Sequence, residues 1–308
     1  MAGDDFDSSA APCGLVRGRA TFQGAAGLIS DYLIITGINV LLAWSVYIVL
    51  LTGSLSFAQG AFMAIGCYAA SYLTTEMGLS FWPATLIAAA ITAIIAGVIG
   101  FPALRLRGIY LILATLGITF CVRVLLENLE FLGGIGGMSG MLGTDLFAVV
   151  IAVVVVGLLL AVVSFSPLQR VFDAVREDER VAASMGINVT AVRLIGFAAG
   201  AAVAAVGGSL YGHYLTFVRP ENFDVLLAIY VVLYVVLGGV NNMIGPFVGA
   251  VVMTLLPEYF RVLAEWRPTV FGLAVLLMLL VRPDGLLSFR FPTLRAAKTS
   301  KAIERKAA

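Results

Sequence analysis

The sequence predicts an all-α fold, a polytopic membrane helix bundle of about eight to ten transmembrane segments with one or two broken or re-entrant, leaving room for inverted repeats. Composition, charge placement and run length predict it. Of 308 residues, 61% are hydrophobic and only 12% are charged, whereas a soluble domain carries about 25% charge. The charges are clustered rather than dispersed. Uncharged runs recur between the clusters, each long enough to cross a hydrocarbon core of roughly 30 Å, which takes about 20 residues.

The segments follow in order from charge and from Gly/Pro punctuation. The first spans 33–51. The second, 55–75, is interrupted by Gly60 and Gly66, follows Gly53, and carries the polar Ser56, Gln59 and Ser71. The third, 81–104, ends at Arg105 and Arg107, and the fourth, 109–126, contains Arg123. The fifth covers 146–169 and the sixth 194–218, which has no Asp, Glu, Lys or Arg and a single His, His213. The uncharged stretch 225–257 exceeds the about 20 residues of a single span. GGVNNMIGP (238–246) therefore divides it into segments seven and eight. The ninth is 269–281.

Between segments five and six lies a charged, helix-forming island, DAVREDERVAASMGINVTAVR (173–193). So many charges cannot lie in lipid, so the island is an aqueous loop. Residues 290–308 form a basic tail with Arg295, Lys298, Lys301, Arg305 and Lys306. Lys and Arg accumulate on the cytoplasmic side of a membrane. A cytoplasmic C-terminal tail then puts the island (170–193) and Arg105/Arg107 inside, and the Gly-rich loop LGGIGGMSGMLG (132–143) outside. Only Arg219, Arg261 and Arg267 fall toward the outer side, and Arg123 lies within a span. Residues 1–27, with Asp4, Asp5, Asp7, Arg17 and Arg19, read as a short cytoplasmic tail and not as a signal peptide. Nine full crossings would put that tail outside. The economical repair is that segment two enters and returns, or is broken, which its glycines and polar residues suit. Backbone that is not helical at membrane depth must be buried in protein or line a cavity, so segment two is a candidate for a solute path.

Cys13, Cys67 and Cys121 are scattered with no CxxC spacing, so no disulfide framework or metal site is indicated. Cys67 and Cys121 are expected to pack as small hydrophobes. His213 has no second ligand at metal spacing and is expected to hydrogen-bond within the bundle. Arg123 and Glu127 form an i,i+4 pair. Gly200, Gly207, Gly208 and Gly212 favour close helix packing. On the island, small Ala182, Ala183 and Ser184 permit close approach by another surface, and Gly186 suits a helix C-cap.

In DAVREDERVAASMGIN the island resembles the cytoplasmic coupling motif of ABC importer permeases, specifically of the branched-chain amino-acid/urea family. Four further stretches resemble that family in the same order. They are TGSLSFAQGAFMAIGCYAA (52–70), PALRLRGIYLILATLG (102–117), VLGGVNNMIGPFVGA (236–250) and LVRPDGLL (280–287). Two positions depart from the pattern: VNN (240–242) replaces a glycine turn, and Ser184 stands near a usual Glu.

The resemblance implies a permease domain over 28–289, paired with a second permease subunit, homologous or identical, in a bacterial cytoplasmic membrane. It implies two cytoplasmic ATPase subunits that carry ATP and Mg, and a periplasmic solute-binding protein at the outer face. Arg176, Glu177, Asp178, Glu179, Ala183 and Gly186 would form the ATPase-coupling loop. Gly136, Gly137 and Ser139 would face the binding protein. Ser56, Gln59, Thr115 and Thr119 are candidates for the solute path, because polar side chains are costly in lipid. The chain has no G-x-x-x-x-G-K-[ST] phosphate loop, so no cofactor of its own, no nucleic-acid partner and no enzymatic role are expected. The solute class implied is branched-chain amino acids first, urea or amides next. The competing reading is a self-sufficient channel or secondary transporter, which would more often bury a mid-membrane carboxylate or ion cluster.

Overall fold

The computed structural model describes residues 13–141 and 143–259 with Gly272 and Leu276, and their side chains from Ser30 to Leu255. The helices are α1 (Cys13–Leu51), α2 (Gln59–Thr75), α3 (Phe81–Ala103), α4 (Ile109–Asn128) and α5 (Leu146–Phe165), then α6 (Pro167–Glu177), α7 (Glu179–Ser184), α8 (Val189–Leu215), α9 (Val225–Gly238) and α10 (Ile244–Tyr259). Among the described residues five helices are long and apolar enough to cross a membrane: Ser30–Leu51 of α1, then α3, α4, α5 and α8. The ninth segment (apart from Gly272 and Leu276, which are helical), the 280–287 motif, the basic tail and residues 1–12 lie outside the described residues.

Small residues set the directions of the helices. Along α8, Gly196 packs on Thr52, Gly200 on Ser45 and Gly207 on Leu41 and Leu42, so α1 runs antiparallel to α8. Gly66 packs on Ala205, Gly208 on Met63 and Gly212 on Cys67, so α2 runs parallel to α8. Gly100 meets Phe197, while Thr85 hydrogen-bonds Ser209 at 2.7 Å, so α3 is antiparallel. Gly37 meets Val149 and Gly157 meets Trp44, so α5 runs with α1. This is the close-packing role expected of the glycines in segment six. α2 lies at the centre, buried along most of its length, whereas α3, α4 and α5 present wide apolar faces outward.

The expected division of the long stretch is observed. α9 and α10 form a hairpin whose backbones touch at Gly238, Gly245 and Gly249, where a Cβ would overlap a carbonyl group. The hairpin is tied to α1 by Asn39 Nδ2 donating to Thr254 Oγ1 (3.0 Å) and by Trp44 Nε1 donating to the Met243 carbonyl (2.9 Å).

Of the two alternatives for segment two, the broken one is observed. Residues 52–58 are unwound, and α2 then continues away from the island, so the break and the crossing belong to one segment. The crossings alternate from α1 to α5, and Asp31 of α1 neighbours Tyr214 at the end of α8 opposite the island. The start of the apolar part of α1 and the island therefore lie at opposite ends of the bundle. Residues 13–27, within the expected tail, are helical.

The orientation is testable. In a background lacking Cys13, Cys67 and Cys121, Ser184→Cys and Ser139→Cys should label from opposite sides of the membrane. Both substituted positions are exposed. Labelling of both from the same side would overturn these helix directions.

Candidate coupling face and solute path

The island is a two-helix unit with its own caps. Pro167 opens α6, and Ser166 Oγ accepts from the Leu168 N–H at 3.2 Å. Phe172 and Val175 bury its apolar side. Asp178 then ends α6 and caps α7, its carboxylate accepting from the Arg180 and Val181 N–H groups at 2.8 and 3.2 Å. Gly186 adopts φ +82°, the left-handed turn that a residue after a helix end requires. Asn188 Oδ1 caps α8 by accepting from the Ala191 N–H at 3.1 Å.

The coupling residues read from the sequence separate into two groups. Arg176, Glu177, Asp178, Ala183 and Gly186 are exposed. Glu179 is not turned out: its side chain is 30% exposed and bridges Arg193 of α8, 12% exposed, and Arg107 of the α3–α4 loop at 3.3 Å. It staples the island to two other elements. The outward face of α7 is instead made by Arg180, Val181, Ala183, Ser184 and Met185. Neither Arg107 nor Arg193 could be paired with Glu179 from sequence, since nothing local relates them.

The solute-path candidates do come together, around the unwound residues 52–58. Thr115 Oγ1 accepts from the Phe57 N–H at 3.1 Å, and Thr119 Oγ1 donates to the Phe57 carbonyl at 3.0 Å. Ser56 Oγ accepts from the Ala58 N–H at 3.1 Å. Two threonines of α4 and one serine thus replace the bonds that a helix would have made. Gln59 begins α2, fully buried, and neither its Oε1 nor its Nε2 has a partner. Ser54, whose polarity the sequence shows but which was not among the path candidates, is also buried with an unpartnered Oγ. At its other end the segment reaches the island: a Cβ on Gly53 would lie 3.3 Å from the Arg176 Cα.

At the opposite face the Gly-rich loop is folded rather than a plain turn. Two 3₁₀ turns, Glu130–Leu132 and Gly134–Gly136, lead into β1 (Met138–Ser139), which pairs antiparallel with β2 (Phe217–Val218). Gly137 packs on the Val218 carbonyl, while Gly136 and Ser139 are exposed. The Arg123–Glu127 pair forms at 2.9 Å and gains Asp224 at 3.1 Å, which fastens α4 to the start of α9. His213 is buried as expected, its Nδ1 2.8 Å from the Ser209 carbonyl and its Nε2 3.1 Å from Thr74 Oγ1. Cys67 is buried, whereas Cys121 is exposed on the outside of the bundle rather than packed within it. Among the described residues no group of three His, Cys, Asp or Glu could hold a metal ion.

A polytopic α-bundle with five helices long and apolar enough to cross a membrane among the described residues is an integral membrane protein. The chain belongs to the family described as branched-chain amino acid transport system / permease component, whose model matches residues 28–282. It is 32% identical over 302 residues to the high-affinity branched-chain amino acid transport system permease protein LivM of Salmonella typhimurium, covering 86% of this chain and 71% of that protein. It is 32% identical over 313 residues to the LivM of Escherichia coli, covering 88% and 74%. The permease protein LivH of Salmonella typhimurium is 30% identical over 129 residues, 41% of each chain. No solved structure matches. These relatives are transport permeases and not enzymes.

Proposed function

We propose that the chain is the transmembrane permease subunit of an ATP-driven ABC importer in a bacterial cytoplasmic membrane, with branched-chain amino acids as its solute. Membership of the permease family over residues 28–282 carries this reading. The longer match to LivM than to LivH supports a partner permease of the LivH kind rather than a second copy of this chain. The exposed face of α7, held by Glu179, is the surface offered to two ATPase subunits that bind ATP and Mg. The folded cap around Gly136, Gly137 and Ser139 is the surface offered to a solute-binding protein.

The test is uptake of radiolabelled leucine by proteoliposomes that hold this chain with its partner permease, ATPases and binding protein. Uptake should require internal ATP and the binding protein, and should be unaffected by collapse of ion gradients. Gradient-driven uptake without ATP would support the secondary-transporter reading instead. Uptake of urea in place of leucine would move the solute to the amide class.

A further inference from the structure

We infer that the N-terminus of α2 is a carboxylate subsite, which takes the α-carboxylate of the transported amino acid with Gln59 and Ser54 as side-chain donors. This rests on the proposed import of amino acids. The first N–H groups of any helix have no partner within it, and the helix dipole makes that end favourable for an anion. In α2 the first backbone bond runs from the Phe62 N–H to the Ala58 carbonyl at 3.1 Å. The N–H groups of Gln59, Gly60 and Ala61 have no acceptor among the described residues, and Ala58 supplies no side-chain cap. All three residues are buried.

The side chains give an independent observation. Gln59 is 1% exposed and Ser54 3% exposed, and the Gln59 amide and the Ser54 hydroxyl are both unpartnered. Buried polar groups are almost always paired, because an unmade bond there is costly. A helix Cβ leans toward the helix start, so Gln59, as first residue, carries its amide toward the same end as the free N–H groups. Its Nε2 lies 3.4 Å from where a Cβ on Gly200 would sit, between α1 and α8. The unpartnered set is therefore mostly donors at the positive end of a helix, and its complement is a group that only accepts. A carboxylate is that group, and the Gln59 Oε1 remains to accept from the ammonium of the same amino acid. Urea offers a single carbonyl oxygen and uses this set poorly.

The test is Gln59→Glu in the whole reconstituted transporter, with leucine saturating the same binding protein for every variant. The new side chain has the shape of the old one and puts its own carboxylate at the helix start, where the dipole favours it. Loss of charge-assisted hydrogen bonds should cut leucine uptake by at least about tenfold, while the thermal midpoint of the purified complex holds or rises. Ser54→Ala should cut uptake by about threefold, since one hydroxyl donor is removed. Wild-type uptake in both variants overturns the subsite. So does a fall in thermal midpoint, or failure to assemble, in Gln59→Glu, because either shows that a carboxylate is not accommodated there. A wild-type transporter that imports urea and not leucine overturns the solute assignment and removes this subsite's ligand with it. A wild type that imports leucine while the variants behave as wild type overturns the subsite alone.

Discussion

Gly66→Leu is expected to remove the protein from the membrane fraction altogether. A Cβ at Gly66 would collide with Ala205 and come within 2.7 Å of its carbonyl oxygen, while Gly208, on the facing helix, rests on the Met63 carbonyl. Overpacking a core by added methylenes costs about 1–3 kcal/mol when side chains can move aside. Here the obstruction is backbone, so α2 and α8 would have to separate along the most extensive contact in the bundle. With total stabilities of about 5–15 kcal/mol, loss of that contact should leave little folded protein. Gly97→Leu and Gly117→Leu are the controls, because nothing lies within 4 Å of a Cβ at either position. Immunoblots of membranes should show the controls near wild type and Gly66→Leu absent; normal accumulation of Gly66→Leu would refute the close approach.

Glu179→Arg should abolish solute uptake while the protein still inserts and accumulates. The substitution places a third guanidinium beside Arg107 and Arg193. Breaking a half-buried ion pair and adding repulsion costs about 2–3 kcal/mol after allowance for solvent screening at Arg107. That is enough to free the island from its seat without unfolding the bundle, because α6, α7 and the start of α8 keep their own caps. The double variant Glu179→Arg, Arg193→Glu should recover part of the uptake, since it restores one pair. A residue that acted by touching an ATPase would not be rescued by a change on α8. Absence of any recovery, with both variants well accumulated, would favour direct docking by Glu179.

The helices were legible because lipid demands long apolar runs bounded by charge, and α3, α4 and α5 end within a few residues of where charge and glycine predict. The break in segment two was legible for the same reason: Ser56 and Gln59 are costly in lipid, and their polarity pointed to protein around them. Their meeting with Thr115 and Thr119 followed from polarity alone. What sequence could not supply is which partners meet. Asp224 joining Arg123, Arg193 and Arg107 joining Glu179, and β1 pairing with β2 all link segments far apart in the chain. A two-residue strand carries no alternation to read. The side on which α1 begins was not legible, because the count of crossings turned on whether segment two returned or was broken.

The contact between Gly53 and Arg176 has a thermodynamic corollary. It joins the unwound stretch that leads to Gln59 with the helix that leads to α7, and the stretch is held elsewhere mainly by Phe57 on two threonines. On the proposed function, any shift of the island that favours one arrangement of the stretch changes the affinity of a solute lodged there. Linkage then requires the reverse, by the same factor. A solute that prefers one arrangement must alter how tightly the island is gripped from the cytoplasm. On the proposed function, the island's affinity for its partner and the stretch's affinity for its solute are therefore coupled in both directions by one factor.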